Sequence, residues 1–462
     1  MGWFFDLVVD VGNWPADHLP GEIRGLAVAP AGTAFTRACT VSQEITAHVL
    51  YSDVVGAGEV LSPIAGEWIS FHRASRTADS TTRSGSIALD FTMNESQDAV
   101  AELVVSLLER DSARDIALWP KLVDSGLLSV ALPQRYGGDG LGLLEVSAML
   151  TELATDAVQV PALTTLGFGV LPLLRSAPES LAEKVFPAVA DGAVLTAALN
   201  EPGAPFAMKP ETTATVDGNT VRIRGRKVGV PYVDRARWIL VPTDSGLAVV
   251  DAEVPGLERA QSPSGTGAPE FSLYFDDAEI PAEQLLSGGI PELYRYALAT
   301  IGSVADGLLK GIVTLATEHL RIQDGVSREN TLAASRTIAD ICIASRALHA
   351  IAQSANWALA QNDDSAEHHE RVDNGLDVLA YYVASELRAT IRMCHHLYVA
   401  DIATAHPLHR YYSQAADLAR WLGGTSSGSV GLKDRFSSVA KTSDRSSEGI
   451  STGRAIADPA VV

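Results

Sequence analysis

The chain has 462 residues, 47% hydrophobic and 20% charged, with a formal net charge of -21. That length gives a large core shared by about two to four domains, and so acidic a balance excludes nucleic acid as a partner, because phosphate binding wants a basic face. Cys39, Cys342 and Cys394 form no C-x-x-C pair, which argues against a disulfide scaffold and for a reducing cytoplasm.

The N-terminal "MGWFFDLVVDVGNW" is apolar but carries Asp6 and Asp10 and no early Lys or Arg, so it does not read as a signal peptide. No stretch reaches the ~18 uninterrupted apolar residues of a membrane span. Residues 1–88 are rich in small residues and end in "HRASRTADSTTRSGS", a polar run without periodicity; they read as an extension closed by a linker. At Thr92 the character changes. Thr92 and Glu95 have capping-box spacing, and Val100, Leu103, Val104, Leu107 and Leu108 follow at helical spacing. "ALWPKLVDSGLL" predicts a second helix, and the turn-rich "PQRYGGDGLG" feeds a third. Helical pattern then runs to about Ala190.

From Leu195 to Leu286 the period switches to two. Val221 and Ile223 alternate with Arg222 and Arg224, Phe271, Leu273 and Phe275 alternate likewise, and "VDGNTV" has hairpin turn chemistry. This predicts an antiparallel β domain. Helical period returns after Pro291 in four long segments, "ELYRYALATIGSVADGLLKGIVTLATEHL", "SRTIADICIASRALHAIAQSANWALAQ", "VLAYYVASELRATIRMCHHLYVADI" and "PLHRYYSQAADLARWL", which predict an antiparallel bundle. The tail after Gly428 lacks an apolar face and reads as disordered. The fold class is thus α+β, divided as 1–88, 89–194, 195–288, 289–428 and 429–462, with a crevice beside the β domain able to take a flat cofactor and a thioester.

"PQRYGGDGLGLLE" lacks the GK[ST] of a phosphate loop and reads as a tight loop before a helix. "CHHLY" lacks metal-ligand spacing, and adjacent His395 and His396 point to different helix faces, so no metal is expected. His368 and His369, in "DDSAEHHERVD", read as a solvated loop. "ALNEPGA" reads as a turn at the helix-to-strand junction, with polar groups able to meet the edge of a flat ring.

Taken together, "WPKLVDSGLLSVALPQRYGGDGLGLLEV", "LNEPG", "GRKVGV", "DDAEIPAEQLL" and "HPLHRYY" resemble the acyl-CoA dehydrogenases in order and spacing, over roughly Leu89 to Gly424. "LTAALNEPG" with "CHHL" and "DLARWLGG" resembles an actinobacterial subgroup acting on steroid side-chain CoA thioesters. Its members are α2β2 heterotetramers with one catalytically incomplete subunit type. The resemblance implies the family fold, an α domain, a middle β domain and a helical bundle, in a cytoplasmic protein. It also implies FAD as the hydride acceptor and a glutamate that takes the α-proton.

That glutamate has two family positions, occupied here by Gly423 and Ala297, and neither side chain can accept a proton. Glu292 and Glu318 share the helix of Ala297 but stand more than a turn away. Leu199, Asn200, Gly424 and Thr425 match cofactor-binding positions. The family's "EPGAGSD" is here "EPGAPFA", its glycine-rich turn is "YVADI" at 398–402, and Gln323 falls near a cofactor-binding arginine's place. The resemblance therefore implies a non-catalytic subunit, with FAD shared with or held mainly by a homologous partner and no membrane or nucleic acid involved. Two alternatives stand: an active dehydrogenase with its base elsewhere, and a non-redox scaffold or CoA-ester-binding protein. Family chains begin near "LDFT", so Leu89 is a candidate initiator, against a reading of residues 1–88 as a further domain.

Overall fold

The computed structural model describes residues 94–322, 328–361, 363–395, 397 and 407–423. Expectations for residues 1–88, the tail, Thr92, Gln323, residues 398–402, Gly424 and Thr425 lie outside these described residues.

The first helix, α1 (Glu95–Arg110), is capped by Asn94. Asn94 Oδ1 accepts from the Gln97 amide at 2.8 Å, and Gln97 Oε1 accepts from the Asn94 amide at 2.9 Å. The capping box of this helix is thus Asn94 with Gln97, and Glu95 is not its N3 residue. Glu95 is the first helical residue, where its charge suits the helix dipole. The expected second helix is shorter than its apolar pattern: α2 covers only Trp119–Asp124, and Gly126 follows with a left-handed φ of 78°. The glycine-rich loop then packs tightly, since a Cβ on Gly138 would stand 2.1 Å from the Leu132 carbonyl oxygen. It ends where Glu145 Oε2 accepts from the Gly142 amide at 2.9 Å and starts α3 (Leu143–Thr155). Wide π-type turns over Leu163–Val170 lead into α4 (Leu171–Ser176), and α5 (Glu179–Ala190) closes this helical layer.

Ten strands follow: β1 (Val194–Ala197), β2 (Asn200–Glu201), β3 (Ala204–Pro205), β4 (Thr213–Asp217), β5 (Thr220–Pro231), β6 (Ala236–Thr243), β7 (Gly246–Asp251), β8 (Leu257–Ser262), β9 (Glu270–Pro281) and β10 (Leu285–Leu286). One sheet runs β1-β6-β7-β10 and the other β3-β2-β5-β9-β8, with β4 on β5. The pairing is antiparallel except for β1 on β6. The Gly218-Asn219 turn joins β4 to β5, as its turn chemistry predicts, with Asp217 opposite Thr220. Along β6, Ile239 and Val241 pack with Val221, Ile223 and Leu273 between the sheets. Trp238 and Leu240 face the other way, onto the helical core with Phe168 and Leu195. Period-two alternation of two apolar sets is what a sheet buried on both faces requires.

The C-terminal region holds α6 (Gly289–Ile322), α7 (Arg328–Ala360), α8 (Ala366–Ser385), α9 (Leu387–His395) and α10 (Pro407–Trp421). Two expectations need correction here. The third predicted bundle segment breaks at Glu386, dividing α8 from α9. The "solvated loop" at His368 is helix: Ser365 Oγ caps it by accepting from the His368 amide at 3.2 Å, and His368 is buried. A charged sequence hid one apolar stripe, Val372, Leu376, Leu379 and Val383, which faces the core. One helix, Gly289–His319, is long and apolar enough to cross a membrane, but 72% of its apolar window is buried inside the fold. Its glycines set the packing distance: a Cβ on Gly307 would stand 2.1 Å from the Thr151 carbonyl oxygen of α3.

Candidate functional site

Helix α10 bridges the helical layer and the β domain. Tyr411 donates to the Thr155 carbonyl at 2.5 Å and Gln414 to the Ala157 carbonyl at 2.7 Å, both just past the end of α3 or at it. One turn on, Asp417 takes the Gly265 amide at 2.8 Å and the Thr266 amide at 3.1 Å. These are loop residues between β8 and β9. At the end of the helix, Glu270 Oε1 accepts from Arg420 at 2.6 Å and from the Trp421 indole at 2.9 Å. Arg420 also reaches Asp417 at 2.8 Å, and Asn200 Nδ2 donates to the Trp421 carbonyl at 2.8 Å. The end of α10 is thus clasped to the β domain.

Beside this clasp lies a cleft of about 680 Å³, counted with its open side. Its walls are mainly apolar, with Leu150, Leu153, Val160, Leu163, Val304 and Leu418 among them. Its polar end carries Glu270, Asp417 and Tyr232. Glu270 is 2% exposed, and its Oε2 is buried with no hydrogen-bond partner. Burial pushes the Glu270 carboxyl up from its ordinary value, and Asp417 adds to this, while Arg420 and Trp421 offset only part of it. Burial also pushes the Tyr232 hydroxyl up, with Asp417 next in effect. Tyr232 holds a φ of 55°, a conformation unusual for a bulky residue and suggestive of a constrained site.

The sequence-predicted residues take different places. Gly423 has a φ of 91°, and its amide donates to the Arg420 carbonyl at 3.0 Å, so it ends α10 in the left-handed turn that glycine favours. Ala297 is fully buried in the apolar core of α6. Glu292 is held by Arg295 at 2.9 Å, with Arg175 at 3.7 Å. Glu318 is exposed. Leu199 and Asn200 are both buried at the junction. Asn200 donates one N–H of its side-chain amide to Trp421 and accepts from the Phe206 amide at 3.2 Å. Glu201, in the same motif, forms a buried ion pair with Lys227 at 2.7 Å. Sequence reasoning missed Glu270, Asp417, Arg420 and Trp421. The only signal was a Glu opening a strand and an Asp-x-x-Arg-Trp spacing near a helix end.

Tested against FAD, these residues fit poorly. The apolar walls suit a flat ring, but an anionic diphosphate wants free donors. Arg420 is already shared between two carboxylates, and one N–H of the Asn200 amide is committed to Trp421. Among the described residues no group of three or more His, Cys, Asp and Glu side chains could hold a metal ion.

Residues 88–193 match the family "Acyl-CoA dehydrogenase, N-terminal domain". Acyl-CoA dehydrogenase FadE28 of Mycobacterium tuberculosis is 37% identical over 342 residues, covering 73% of this chain and 96% of the relative. FadE27 of the same organism is 28% identical, covering 73% and 95%. Among solved structures, a variant of the Tcur3481-Tcur3483 steroid ACAD matches with a TM-score of 0.68 at 24% identity, covering 76% of this chain and 100% of that one. The ChsE4-ChsE5 complex from Mycobacterium tuberculosis matches at 0.66 and 24%, covering 75% and 98%.

Proposed function

The chain belongs to the acyl-CoA dehydrogenase family, and from that premise we propose that it is the base-less subunit of a heteromeric, FAD-dependent acyl-CoA dehydrogenase. A homologous subunit, in an α2β2 assembly, supplies the glutamate and most of the FAD site. The acyl group belongs to the steroid side-chain CoA esters, and the complex works in the cytoplasm. Two solved neighbours, one a steroid ACAD and the other the two-protein ChsE4-ChsE5 complex, support this reading. The observation that carries the reading is the pair of base positions. α,β-Dehydrogenation needs a proton acceptor beside the α-carbon. Gly423 is a helix-ending glycine and Ala297 a core methyl. The engaged Asn200 and Arg420 argue in the same direction for the cofactor.

The test is a flavin spectrum and an acyl-CoA assay of this chain alone and co-purified with a homologous subunit. The chain alone is expected to be colourless and to reduce no electron acceptor, while the complex is yellow and bleaches with acyl-CoA. Stoichiometric FAD with turnover in the single chain overturns the proposal.

A second reading, an active dehydrogenase with its base elsewhere, has one observation in its favour: Glu270 is a buried carboxylate at the cleft with one oxygen unpartnered. On that reading Glu270→Gln in the complex lowers turnover by about 10²–10⁴-fold while FAD stays bound. Unchanged turnover removes it.

A further inference from the structure

We propose that the terminal guanidinium nitrogens of Arg388 and Arg392, on α9, hold a doubly charged oxyanion of the phosphate class against α10. Both side chains turn to one oxygen. Arg388 donates to the Tyr412 hydroxyl at 3.1 Å, with its guanidinium 5.5 Å from the centre of the Tyr412 ring. Arg392 stands one turn further along α9 and also hydrogen-bonds that hydroxyl, and the two cations together hold it below its ordinary value. Like charges four residues apart share a helix face and destabilise the helix. Among the described residues neither arginine is paired with an Asp or Glu side chain. Glu386 lies two residues before Arg388, and residues at that spacing do not face each other. Arg388 Nε is buried without an acceptor, so the chain supplies fewer acceptors than this guanidinium can use. In a chain of net charge -21, two cations drawn together on a single phenol oxygen lack an anion.

The same arrangement sets the ligand's class. A guanidinium presents its donors as a planar fork that fits the oxygens of a phosphate or a carboxylate. Two forks one turn apart carry two charges. A singly charged carboxylate would leave one of them uncompensated, whereas a phosphate dianion answers both. Arg392 is exposed and Arg388 partly so. The anion therefore arrives from solvent and meets the terminal nitrogens, while the buried Nε stays out of its reach. Because the arginines belong to α9 and Tyr412 to α10, a bound anion also ties these two helices together. The site shares no residue with the clasp at the end of α10, and it requires neither flavin nor a partner subunit.

Calorimetric titration of the full chain tests it, at mildly alkaline pH, where phosphate is a dianion, and at low, matched ionic strength. The probes are inorganic phosphate, glycerol phosphate and acetate. Inorganic phosphate is expected to saturate with a Kd of about 1 mM or tighter. Acetate should bind at least about tenfold more weakly, the factor for one charge-assisted hydrogen bond. Glycerol phosphate binding as well as inorganic phosphate identifies a site for phosphomonoesters, and its exclusion identifies a site for the free ion. Arg392→Gln removes one charge from an exposed position and should weaken phosphate binding at least about tenfold. Arg226→Gln, on the β domain, where the guanidinium lies over the Tyr274 ring, should leave it unchanged. No saturable binding of phosphate, acetate binding as tightly as phosphate, or an Arg392→Gln variant no weaker than Arg226→Gln overturns the proposal.

Discussion

Asn200 donates its side-chain amide to the Trp421 carbonyl at 2.8 Å across 221 residues of chain. This one bond joins the turn after the first strand to the last described turn of the chain. It places two of the motifs that carry the resemblance, "LNEPG" and "DLARWLGG", against each other. It also commits one N–H of a side chain that the resemblance assigned to the cofactor.

The clasp is a cooperative unit, and breaking it from one side is expected to cost more than removing it whole. Arg420→Met leaves Glu270 buried without its cation, a loss of about 1–3 kcal/mol given that Arg420 is partly exposed. Adding Glu270→Gln to that variant should recover part of the loss, because the uncompensated charge goes with it. Urea unfolding of both single variants and the double measures the coupling. Strict additivity would show that the two side chains act independently.

The buried pair Glu201–Lys227 predicts how stability falls in acid. Burial pushes the Glu201 carboxyl up, but Lys227, Thr212 and the backbone amides of Glu211 and Thr212 outweigh it and hold it at about 2. A carboxyl depressed on folding contributes stability that is fully present above its unfolded value of 4.5 and is lost as pH falls through about 2. The shift corresponds to about 3 kcal/mol. Glu270 works with the opposite sign: raised by burial, it favours the fold most at low pH and less as pH rises through its folded value. Unfolding midpoints between pH 6 and pH 2 should therefore drop chiefly below 4.5. In the double variant Glu201→Gln, Lys227→Met the drop should be shallower. An equal slope in that variant would remove Glu201 as its source.

The layers of this fold were legible because periodicity is local. Val221, Ile223 and Leu273 alternate, the Gly218-Asn219 turn has its own chemistry, and α6 carries its stripe through four glycine-tuned contacts. The helix at His368 was not legible, because Glu367, Glu370, Arg371 and Asp373 dilute the stripe that packs. The site was half legible. Gly423 stood out as a motif position, but Glu270, Asp417 and Arg420 become a cluster only when α10 lies across the β8–β9 loop, and no sequence spacing encodes a contact made across 150 residues.

Two helical glycines should respond oppositely to alanine. At Gly307 the added Cβ meets the Thr151 carbonyl oxygen at 2.1 Å, so α3 and α6 must move apart. Overpacking of this kind typically costs about 1–3 kcal/mol, which exceeds the ~1 kcal/mol gained in helix propensity. Gly375, in α8, has nothing within 4 Å of the same atom, so Gly375→Ala should gain up to about 1 kcal/mol. Thermal melts of the two variants give the signs, and a stabilised Gly307→Ala would mean that the two helices are less closely packed than described.

Gly423→Glu alone should not create an active enzyme. A carboxylate there would stand where the family keeps its base, and general-base assistance is worth about 10²–10⁴-fold once substrate and cofactor are in place. Here the residues around it oppose that outcome. Glu270 and Asp417 already share the single Arg420, so a third carboxylate three residues past Arg420 adds repulsion in a half-buried setting. The Asn200 amide remains tied to Trp421, and the substitution adds no donor for a cofactor. The backbone resists too: with φ at 91°, any side chain at 423 sits in the left-handed region, at a cost of about 1 kcal/mol. The variant should therefore melt slightly lower and stay colourless when purified with excess FAD. Acyl-CoA-dependent flavin bleaching by Gly423→Glu in the absence of any partner would show that this chain holds the cofactor itself and lacks only the base.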